Sequence, residues 1–343
     1  MQRITWLAIC LMFLIAACQK DTKIEEPISF SKPANFPEPH YNFQNNELTQ
    51  QGFLLGRKLF FDPILSKDSS ISCSSCHQQF AAFAHSGHRT SHGINGLFGT
   101  RNTPAIFNTA WSKNFMWDGG IIHIEKMPVA PINNPVEMDE TMLNVVVKLN
   151  RSQAYKAKFK EVFGSNEIDD QQVLKAIAQY MGAMVSANSK YDKYKRGEAG
   201  GSFNTDETAG LKLFEQKCAS CHSTDLFTDY SFRNNGLVLN FQNDDGRAHI
   251  TQMAEDIGKF RVPSLRNVEV TAPYMHDGRF GSIEKVLHHY ANTVQKTPTL
   301  DPLLIQPNDK LGIALTEQQQ QQIVLFLKTL TDHEFLTDKR FSE

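Results

Sequence analysis

The chain has 343 residues, of which 41% are hydrophobic and 21% charged, a composition typical of a globular protein with a sizeable core. The formal net charge is −2 and no basic run occurs, so nothing in the sequence indicates nucleic-acid binding. A chain of this length favours two domains.

Residues 1–18, MQRITWLAICLMFLIAAC, have the pattern of a signal peptide. Arg3 supplies a positive charge, the apolar run is too short to span a bilayer, and small residues precede Cys18. Ile15-Ala16-Ala17-Cys18 looks like a lipobox, which predicts cleavage before Cys18 and a lipid anchor on its sulfur. A plain cleaved signal is the alternative. Either one predicts an exported protein, in the first case anchored in the periplasm or at the outer-membrane surface.

The next stretch, residues 19–46, is polar and interrupted by prolines, which favours an extended tether. From residue 48 to Phe61 the apolar residues recur at helical spacing. This pattern predicts a helix that leads into the first cysteine motif.

Two pentapeptides have the spacing of c-type haem attachment sites: Cys73-Ser74-Ser75-Cys76-His77 and Cys218-Ala219-Ser220-Cys221-His222. In such a site each thiol adds to one vinyl group of the porphyrin, and the histidine is the proximal ligand of the iron. The alternative is a zinc or thiol-redox Cys-x-x-Cys, which the second copy disfavours. The sequence therefore predicts two covalently bound c-type haems. The remaining cysteines, Cys10 and Cys18, lie in the N-terminal segment, so no disulfide is expected.

Further motifs resemble those of the bacterial dihaem cytochrome c peroxidases, a family that includes the dihaem enzyme maturing methylamine dehydrogenase. The resemblance runs from about residue 48 to 335 through Arg-Asn-x-Pro at 101–104, Trp-Asp-Gly at 117–119, Pro-Val-Glu-Met at 135–138, Val-Pro-Ser-Leu-Arg-Asn at 262–267 and Met-His-Asp-Gly at 275–278. It implies a mainly α fold of two cytochrome c-like haem domains. We place the N-terminal, peroxidatic domain at 47–198 and the C-terminal, electron-transfer domain at 205–335, with a Gly/Ser-rich linker between them.

The resemblance also implies roles for individual residues. Glu137 matches the distal glutamate that moves a proton between the two oxygens of peroxide, a general acid–base step suited to a carboxylate. Trp117 matches the tryptophan that relays electrons between the haems. Asn102, Thr271 and Pro273 match the ligands of an interdomain calcium ion, a hard cation that prefers oxygen donors.

The sixth ligand of the first iron is open at this stage. His92 is nearest to the position of a histidine that caps this iron in many relatives, with His85 and His88 as rivals. The same loop also fits the Ser-x-Gly-x-x-Gly pattern of relatives that lack the ligand. Met127 stands where the family usually has a pocket glutamine, so peroxide positioning is expected to differ.

The second iron has a different candidate. Relatives carry a methionine ligand fourteen residues after the His-Asp-Gly histidine, and here that position is Tyr290. A helix over residues 282–291 would bury Tyr290 and direct His288 and His289 elsewhere. The methylamine-dehydrogenase-maturing enzyme has a tyrosine ligand in this role. The alternative is a structural tyrosine, with one of these histidines or a distant methionine as the ligand.

The resemblance thus predicts a dihaem peroxidase that reduces hydrogen peroxide to water. Its expected partner is a small electron donor, either a c-type cytochrome or a cupredoxin, and a homodimer is compatible with the sequence. Two alternatives remain at this stage: peroxide-driven oxidation of a protein or organic substrate through a tyrosine-ligated second haem, and a non-enzymatic electron carrier.

Overall fold

The computed structural model describes residues 28–238 and 244–343. The predicted signal peptide, the predicted lipid-bearing Cys18 and residues 19–27 lie outside these ranges. None of the helices within the described ranges is long and apolar enough to cross a membrane.

This part of the chain is mainly α-helical, as predicted. Its helices are α1 (Gln50–Phe61), α2 (Cys73–Cys76), α3 (Val129–Asn133), α4 (Met142–Arg151), α5 (Gln153–Phe163), α6 (Asp170–Ala183), α7 (Lys190–Arg196), α8 (Thr205–Lys217), α9 (Ala248–Thr251), α10 (Ile283–His288), α11 (Glu317–Lys328) and α12 (His333–Thr337). Two short antiparallel strands, β1 (Phe232–Arg233) and β2 (Phe260–Arg261), pair with each other.

Each half of the molecule contains a helix pair that crosses at a glycine. In the first half α1 packs against α6 at Gly56, where a Cβ atom would lie 1.9 Å from the carbonyl oxygen of Ala176. In the second half α8 packs against α11 at Gly210, where a Cβ atom would lie 2.0 Å from the carbonyl oxygen of Gln322. A larger residue at either crossing would push the backbones apart. Because α1 and α8 precede the two cysteine motifs, these crossings fix where each motif lies.

The buried apolar side chains form two main clusters, one in each half. The first includes Leu59 and Ile177, and the second includes Phe214 and Phe326. Tyr191 of α7 belongs to the second cluster, and its backbone N–H donates to the Thr329 carbonyl at 3.0 Å. The predicted domain boundary at residue 198 is therefore too late, because α7 packs with the second core.

The predicted tether is wrong for residues 28–46, which pack on the folded body. Phe36 and Phe43 are only 3% and 8% exposed. The ring of Phe36 meets Trp111 edge-on at 5.2 Å, and Trp111 Nε1 donates to the Pro37 carbonyl at 2.8 Å. The prolines do keep the segment from forming a helix, but the aromatic residues between them attach it to the first half.

The end of the chain also departs from the predicted domain end at residue 335. α12 and the residues after it return to the first half, where Phe335 and Phe341 join its core. Tyr180 donates its hydroxyl hydrogen to the Phe341 carbonyl at 2.8 Å, and Gln79 Nε2 donates to the Phe335 carbonyl at 3.1 Å. The two phenylalanines near the end of the chain are therefore part of the first hydrophobic core.

A fully buried ion pair joins the segments that meet between the two cores. The side chains of Asp192 and Arg266 are both 0% exposed, and the Arg266 guanidinium donates to the carboxylate. Arg266 also donates to the Ser186 carbonyl at 3.0 Å and lies 4.9 Å from the centre of the Phe36 ring. Asn35 donates to the other oxygen of Asp192 at 3.1 Å. Removal of one partner from such a pair leaves an uncompensated buried charge and typically costs about 3–5 kcal/mol.

An internal repeat positions two aromatic rings between the halves. It consists of residues 115–121 (FMWDGGI) and residues 274–280 (YMHDGRF). In each loop a backbone bridge joins the first residue to the last, and the second residue is left-handed, with φ of +65° at Met116 and +73° at Met275. Trp117 and His276 therefore occupy equivalent positions in the two halves.

Candidate haem sites and the pocket between them

The first cysteine motif forms a single helical turn, α2, with His77 directly after it. His77 Nδ1 donates to the carbonyl of Phe83 at 2.6 Å. This bond fixes the ring and leaves Nε2 free to bind iron, the usual arrangement for a metal-binding histidine. Burial lowers the pKa of His77 to about 4, so the imidazole is neutral, as a ligand must be.

The second cysteine motif repeats this arrangement at the end of α8. Cys218 caps the helix, and the backbone N–H of His222 donates to the Cys218 carbonyl at 3.0 Å. His222 Nδ1 donates to the Phe227 carbonyl at 3.1 Å, again leaving Nε2 free. Burial lowers the pKa of His222 as well. Both motifs therefore fit a c-type haem with a proximal histidine.

A cavity of about 310 Å³ opens beside the second motif. Its lining includes Cys218, Cys221, His222, Tyr290, Trp117 and His276. His276 is 4% exposed, and its Nε2 has no hydrogen-bond partner among the described residues. A buried polar nitrogen of this kind needs an acceptor. The thiols, the free histidine nitrogen and the unpaired His276 nitrogen together fit a haem, which supplies both an apolar ring and carboxylates.

Glu137 lies beside the first cysteine motif. Ser91 Oγ donates to Glu137 Oε1 at 3.0 Å, and the Ile94 backbone N–H donates to the Glu137 carbonyl at 2.8 Å. The same loop reaches the motif, where Cys76 Sγ lies 3.4 Å from the His92 carbonyl oxygen. Burial raises the pKa of Glu137, while the hydrogen bonds from Ser91 and Asn134 partly offset this effect. The site thus contains a half-buried carboxylate of raised proton affinity, as acid–base chemistry at neutral pH requires.

The three histidines considered for the first iron form one cluster. The rings of His85 and His88 stack at 4.0 Å, and His92 meets His88 edge-on at 4.5 Å. His92 also contacts the exposed Phe98 at 4.3 Å. His85 is buried, and its Nδ1 has no partner among the described residues. His92 therefore lies in the loop over the motif, and its role as the sixth ligand stays a prediction.

Trp117 is held by backbone contacts from both halves. Its Nε1 donates to the Asn102 carbonyl at 2.8 Å, and its own carbonyl accepts from the Arg261 N–H at 2.8 Å. The Asn102 N–H donates to the His276 carbonyl at 2.7 Å, which connects the two equivalent rings. Arg101 joins the two halves, because it pairs with Asp118 at 2.5 Å and with Asp244 of the second half at 2.6 Å. This location fits an electron relay.

The tyrosine considered for the second iron faces the cavity, although the local helix differs from the prediction. α10 ends at His288 and continues as a π-helical turn, His289–Thr293. As predicted, neither His288 nor His289 lines the cavity. His289 is nevertheless buried, at 2% exposed, and contacts the Asn235 carbonyl at 3.0 Å. Tyr290 lines the cavity together with His222. Burial raises the pKa of Tyr290 to about 12, so binding as phenolate requires a ferric iron to compensate.

The expected calcium ligands share the same cavity. Asn102, Thr271 and Pro273 all contribute to its lining. Asn102 Nδ2 donates to the carbonyls of His88 and Arg89, at 3.4 and 3.2 Å. Within residues 28–238 and 244–343, no cluster of three or more His, Cys, Asp or Glu side chains has the arrangement of a metal site. The calcium ion therefore stays a prediction that depends on carbonyl and amide oxygens.

Met127 also lines this cavity and packs against the first core. Its thioether has no N–H group to donate, so it cannot replace the hydrogen bonds of a glutamine. Sequence reasoning found this departure but not the role of Ser91, the hydroxyl that contacts Glu137. The signal was present in the Ser-x-Gly pattern of the loop, which was considered only in relation to His92.

A mainly helical chain with two repeated Cys-x-x-Cys-His sites and a helix pair behind each defines a two-haem c-type cytochrome. The family model for di-haem cytochrome c peroxidases matches residues 50–200. Over 306 residues the chain is 35% identical to the methylamine utilization protein MauG of Methylorubrum extorquens, covering 88% of this chain and 83% of that protein. We conclude that the chain belongs to the di-haem cytochrome c peroxidase family and is an oxidoreductase with two c-type haems.

Other relatives agree with this assignment. The cytochrome c551 peroxidase of Nitrosomonas europaea is 32% identical over 281 residues, which cover 81% of this chain and 79% of that enzyme. A solved MauG-like protein associated with microbial copper homeostasis superposes with a TM-score of 0.80 at 30% identity, covering 92% of this chain and 98% of that one. The fold prediction of a mainly α protein with two haem domains is thereby confirmed.

Proposed function

We propose that this protein is a peroxidase that reduces hydrogen peroxide to water at the first haem site. The observation that carries the proposal is the half-buried carboxylate of Glu137, held by Ser91 in the loop over the first cysteine motif. An electron carrier needs no proton-transfer group at this position, whereas peroxide reduction does. When bound at His77, the haem would supply the redox-active iron for the reaction.

Glu137 acts as the proton carrier. Cleavage of peroxide to water requires a proton to move from the inner to the outer oxygen, and a carboxylate within reach of both can take it up and release it. The raised pKa of Glu137 places its two protonation states closer in free energy at neutral pH. Ser91 orients the carboxylate, and Met127 leaves peroxide without the usual amide contact.

Each cysteine motif binds one haem in this proposal. Cys73 and Cys76 hold the first haem with His77 as proximal ligand, and His92 is proposed as its sixth ligand in the resting state. Cys218 and Cys221 hold the second haem with His222 as proximal ligand, and Tyr290 is proposed as its sixth ligand. Trp117 relays electrons from the second site to the first, and Asn102, Thr271 and Pro273 bind a calcium ion.

Electrons are supplied by a small redox protein, either a c-type cytochrome or a cupredoxin. The relatives named cytochrome c551 peroxidase support this class of donor. We also propose that the protein is exported and anchored by lipid on Cys18, on the basis of the lipobox-like sequence before that residue. A Cys18→Ala variant should then move from the membrane fraction to the soluble fraction.

A second candidate function is peroxide-driven oxidation of a protein or organic substrate through the second haem. The observation in its favour is Tyr290, which lines the cavity beside His222. A phenolate ligand stabilises ferric iron and lowers its reduction potential, so such a haem is difficult to reduce in advance but is a good source of electrons after peroxide has reacted. The similarity to MauG supports this candidate.

Glu137→Gln tests the main proposal because it keeps size and polarity while removing the proton carrier. We expect peroxide turnover with a reduced cytochrome to fall by about two to four orders of magnitude, with both haems retained. Glu161→Gln is the control, because Glu161 is an exposed residue of α5. Activity of Glu137→Gln within a few-fold of the control would remove Glu137 from the mechanism.

A further inference from the structure

Within residues 28–238 and 244–343, three tyrosines donate their hydroxyl hydrogen to a carboxylate. The pairs are Tyr41–Glu125 at 2.8 Å, Tyr155–Asp62 at 2.5 Å and Tyr191–Asp225 at 2.6 Å. The bonds of Tyr155 and Tyr191 have the short length typical of a hydroxyl that donates to a charged oxygen. They also have a redox consequence, because a phenol that loses an electron becomes a strong acid and the carboxylate is there to take its proton.

Of these tyrosines, Tyr191 is the one whose ring contacts a neighbour of a proximal histidine. The rings of Tyr191 and Phe227 lie 4.9 Å apart, and the Phe227 carbonyl accepts the hydrogen bond from His222 Nδ1 at 3.1 Å. Tyr191 also belongs to the apolar cluster against which Cys218 packs. The second haem site is therefore connected to Tyr191 by two contacts, the hydrogen bond from His222 to Phe227 and the ring contact from Phe227 to Tyr191.

The surroundings of Tyr191 favour loss of an electron together with a proton. Tyr191 is 6% exposed, and burial, followed by the hydrogen bond to Asp225, holds its phenol pKa far above the usual range. The phenol therefore stays protonated until it is oxidised. The other charged groups nearby are the paired Asp192 and Arg266, and Lys195, whose Nζ lies 3.9 Å from Asp225 Oδ1. The Asp225 side chain is 14% exposed, so the pair reaches the surface.

We propose that Tyr191 and Asp225 form a protective one-electron branch from the second haem site. This inference rests on the proposed function, because hydrogen peroxide is the oxidant. Reduction of one peroxide to water takes two electrons, and the haem sites lack electrons when no donor replaces them. Tyr191 then gives one electron to the second haem site, and its proton moves from Oη to Asp225 Oδ1. The products are a neutral tyrosyl radical and a protonated Asp225. A later electron from an external reductant, with return of the same proton, restores both groups.

Two other tyrosines serve as controls, because one lies near a haem site without a carboxylate partner and the other has a carboxylate partner but a cation beside its ring. Tyr180 approaches the first site through Phe60, which lies 5.1 Å from its ring and 6.3 Å from the ring of His77. Its hydroxyl donates to the Phe341 carbonyl, however, and a carbonyl is too weak a base to take the proton. Tyr155 has a carboxylate partner, but the Lys58 ammonium lies 5.2 Å from its ring centre and opposes oxidation.

The test uses the full-length holoprotein with ring-deuterated tyrosine incorporated. Peroxide is added without an electron donor, and samples are frozen within milliseconds to seconds for electron paramagnetic resonance. The wild type should show a radical whose hyperfine pattern narrows on deuteration, which identifies it as tyrosyl. Tyr191→Phe should lose most of this signal, whereas Tyr155→Phe and Tyr180→Phe should retain it. Peroxide turnover with a reduced donor should be the same in Tyr191→Phe and wild type.

Asp225→Asn provides a second variant that keeps the size of the partner but removes the base. Its radical yield should fall several-fold with an unchanged haem spectrum, which also covers the case that Tyr191→Phe does not fold. The inference is overturned by an equal radical yield in Asp225→Asn, by a tyrosyl signal that persists in Tyr191→Phe, or by a wild type that consumes peroxide with a donor but forms no tyrosyl radical without one. Failure of the proposed function has a different signature: the wild type would not consume peroxide at all.

Discussion

Replacing Ser91 with alanine should shift the pH dependence of peroxide turnover while leaving Glu137 and both haems in place. Ser91 is 6% exposed, and its hydroxyl donates to Glu137 at 3.0 Å. This hydrogen bond stabilises the ionised carboxylate and thus lowers its pKa, against the raising effect of burial. Without the hydroxyl, the hydrogen bond no longer offsets the effect of burial, so the pKa of Glu137 should rise further.

The size of the effect follows from the energy of the hydrogen bond. A hydrogen bond to a charged acceptor contributes about 1.5 kcal/mol or somewhat more, and about 1.4 kcal/mol corresponds to one pH unit. The carboxylate has to be ionised to accept the first proton, so turnover rises with pH through the pKa of Glu137. In Ser91→Ala the midpoint of this acidic limb should therefore move upward by about one pH unit.

The assay is kcat/KM for peroxide measured across the acidic and neutral range with a reduced cytochrome as donor. Thr90→Ala is a suitable control, since it removes the neighbouring hydroxyl, which is not a partner of Glu137. An unchanged midpoint in Ser91→Ala, or one that moves downward, would show that the serine does not tune the carboxylate. A shift of equal size in Thr90→Ala would point to a general disturbance of the loop.

The remaining predictions concern the second iron, haem attachment and the chain terminus. Tyr290→Met should raise the potential of the second haem by on the order of 100 mV or more in a redox titration, because a thioether favours ferrous iron; an unchanged potential would make Tyr290 a packing residue. Replacing Cys76 or Cys221 with alanine should weaken the haem stain of the denatured protein, and equal staining in both variants would refute covalent attachment there. Phe341→Ala should destabilise the protein by about 3–5 kcal/mol in chemical denaturation, because it opens a cavity in the first core, whereas Ser342→Ala should have little effect.

Local spacing was enough to predict the cysteine motifs and helix α1. The five residues of each motif are contiguous, and the apolar repeat of α1 is visible in its own sequence. The packing of the two chain ends was not predictable in this way. Phe36 contacts Trp111 and Phe341 contacts Tyr180 only because distant parts of the chain fold together. A proline-rich stretch with a few aromatic residues has the composition of a tether until those partners are known.

The helix at the second haem site shows a different limit. The periodicity argument assumed the regular α-helical repeat throughout residues 282–291, and the π-helical turn adds a residue to one turn. Tyr290 nevertheless lines the cavity, whereas His289 is buried away from it. π-helical turns are frequent at functional sites, and no residue type in this stretch indicates one. The position of Tyr290 was predicted both from its spacing relative to His276 and from the phase of the expected helix, and the π-helical turn begins too late in the helix to alter that phase before His289.

The two cysteine motifs were visible in the sequence, and the fold shows that their surroundings are also alike. Both halves place a helix before the cysteine motif, cross it with a later helix at a glycine, and hold the proximal histidine through a backbone carbonyl. Because the proximal sides match, we expect any difference in function between the two haems to arise from the other residues around them. The first half provides Glu137, a carboxylate that can carry a proton, and the second provides Tyr290, a phenol that can bind ferric iron. We therefore expect the roles of the two sites to depend on Glu137 and Tyr290. Exchanging the two attachment motifs should leave these roles unchanged.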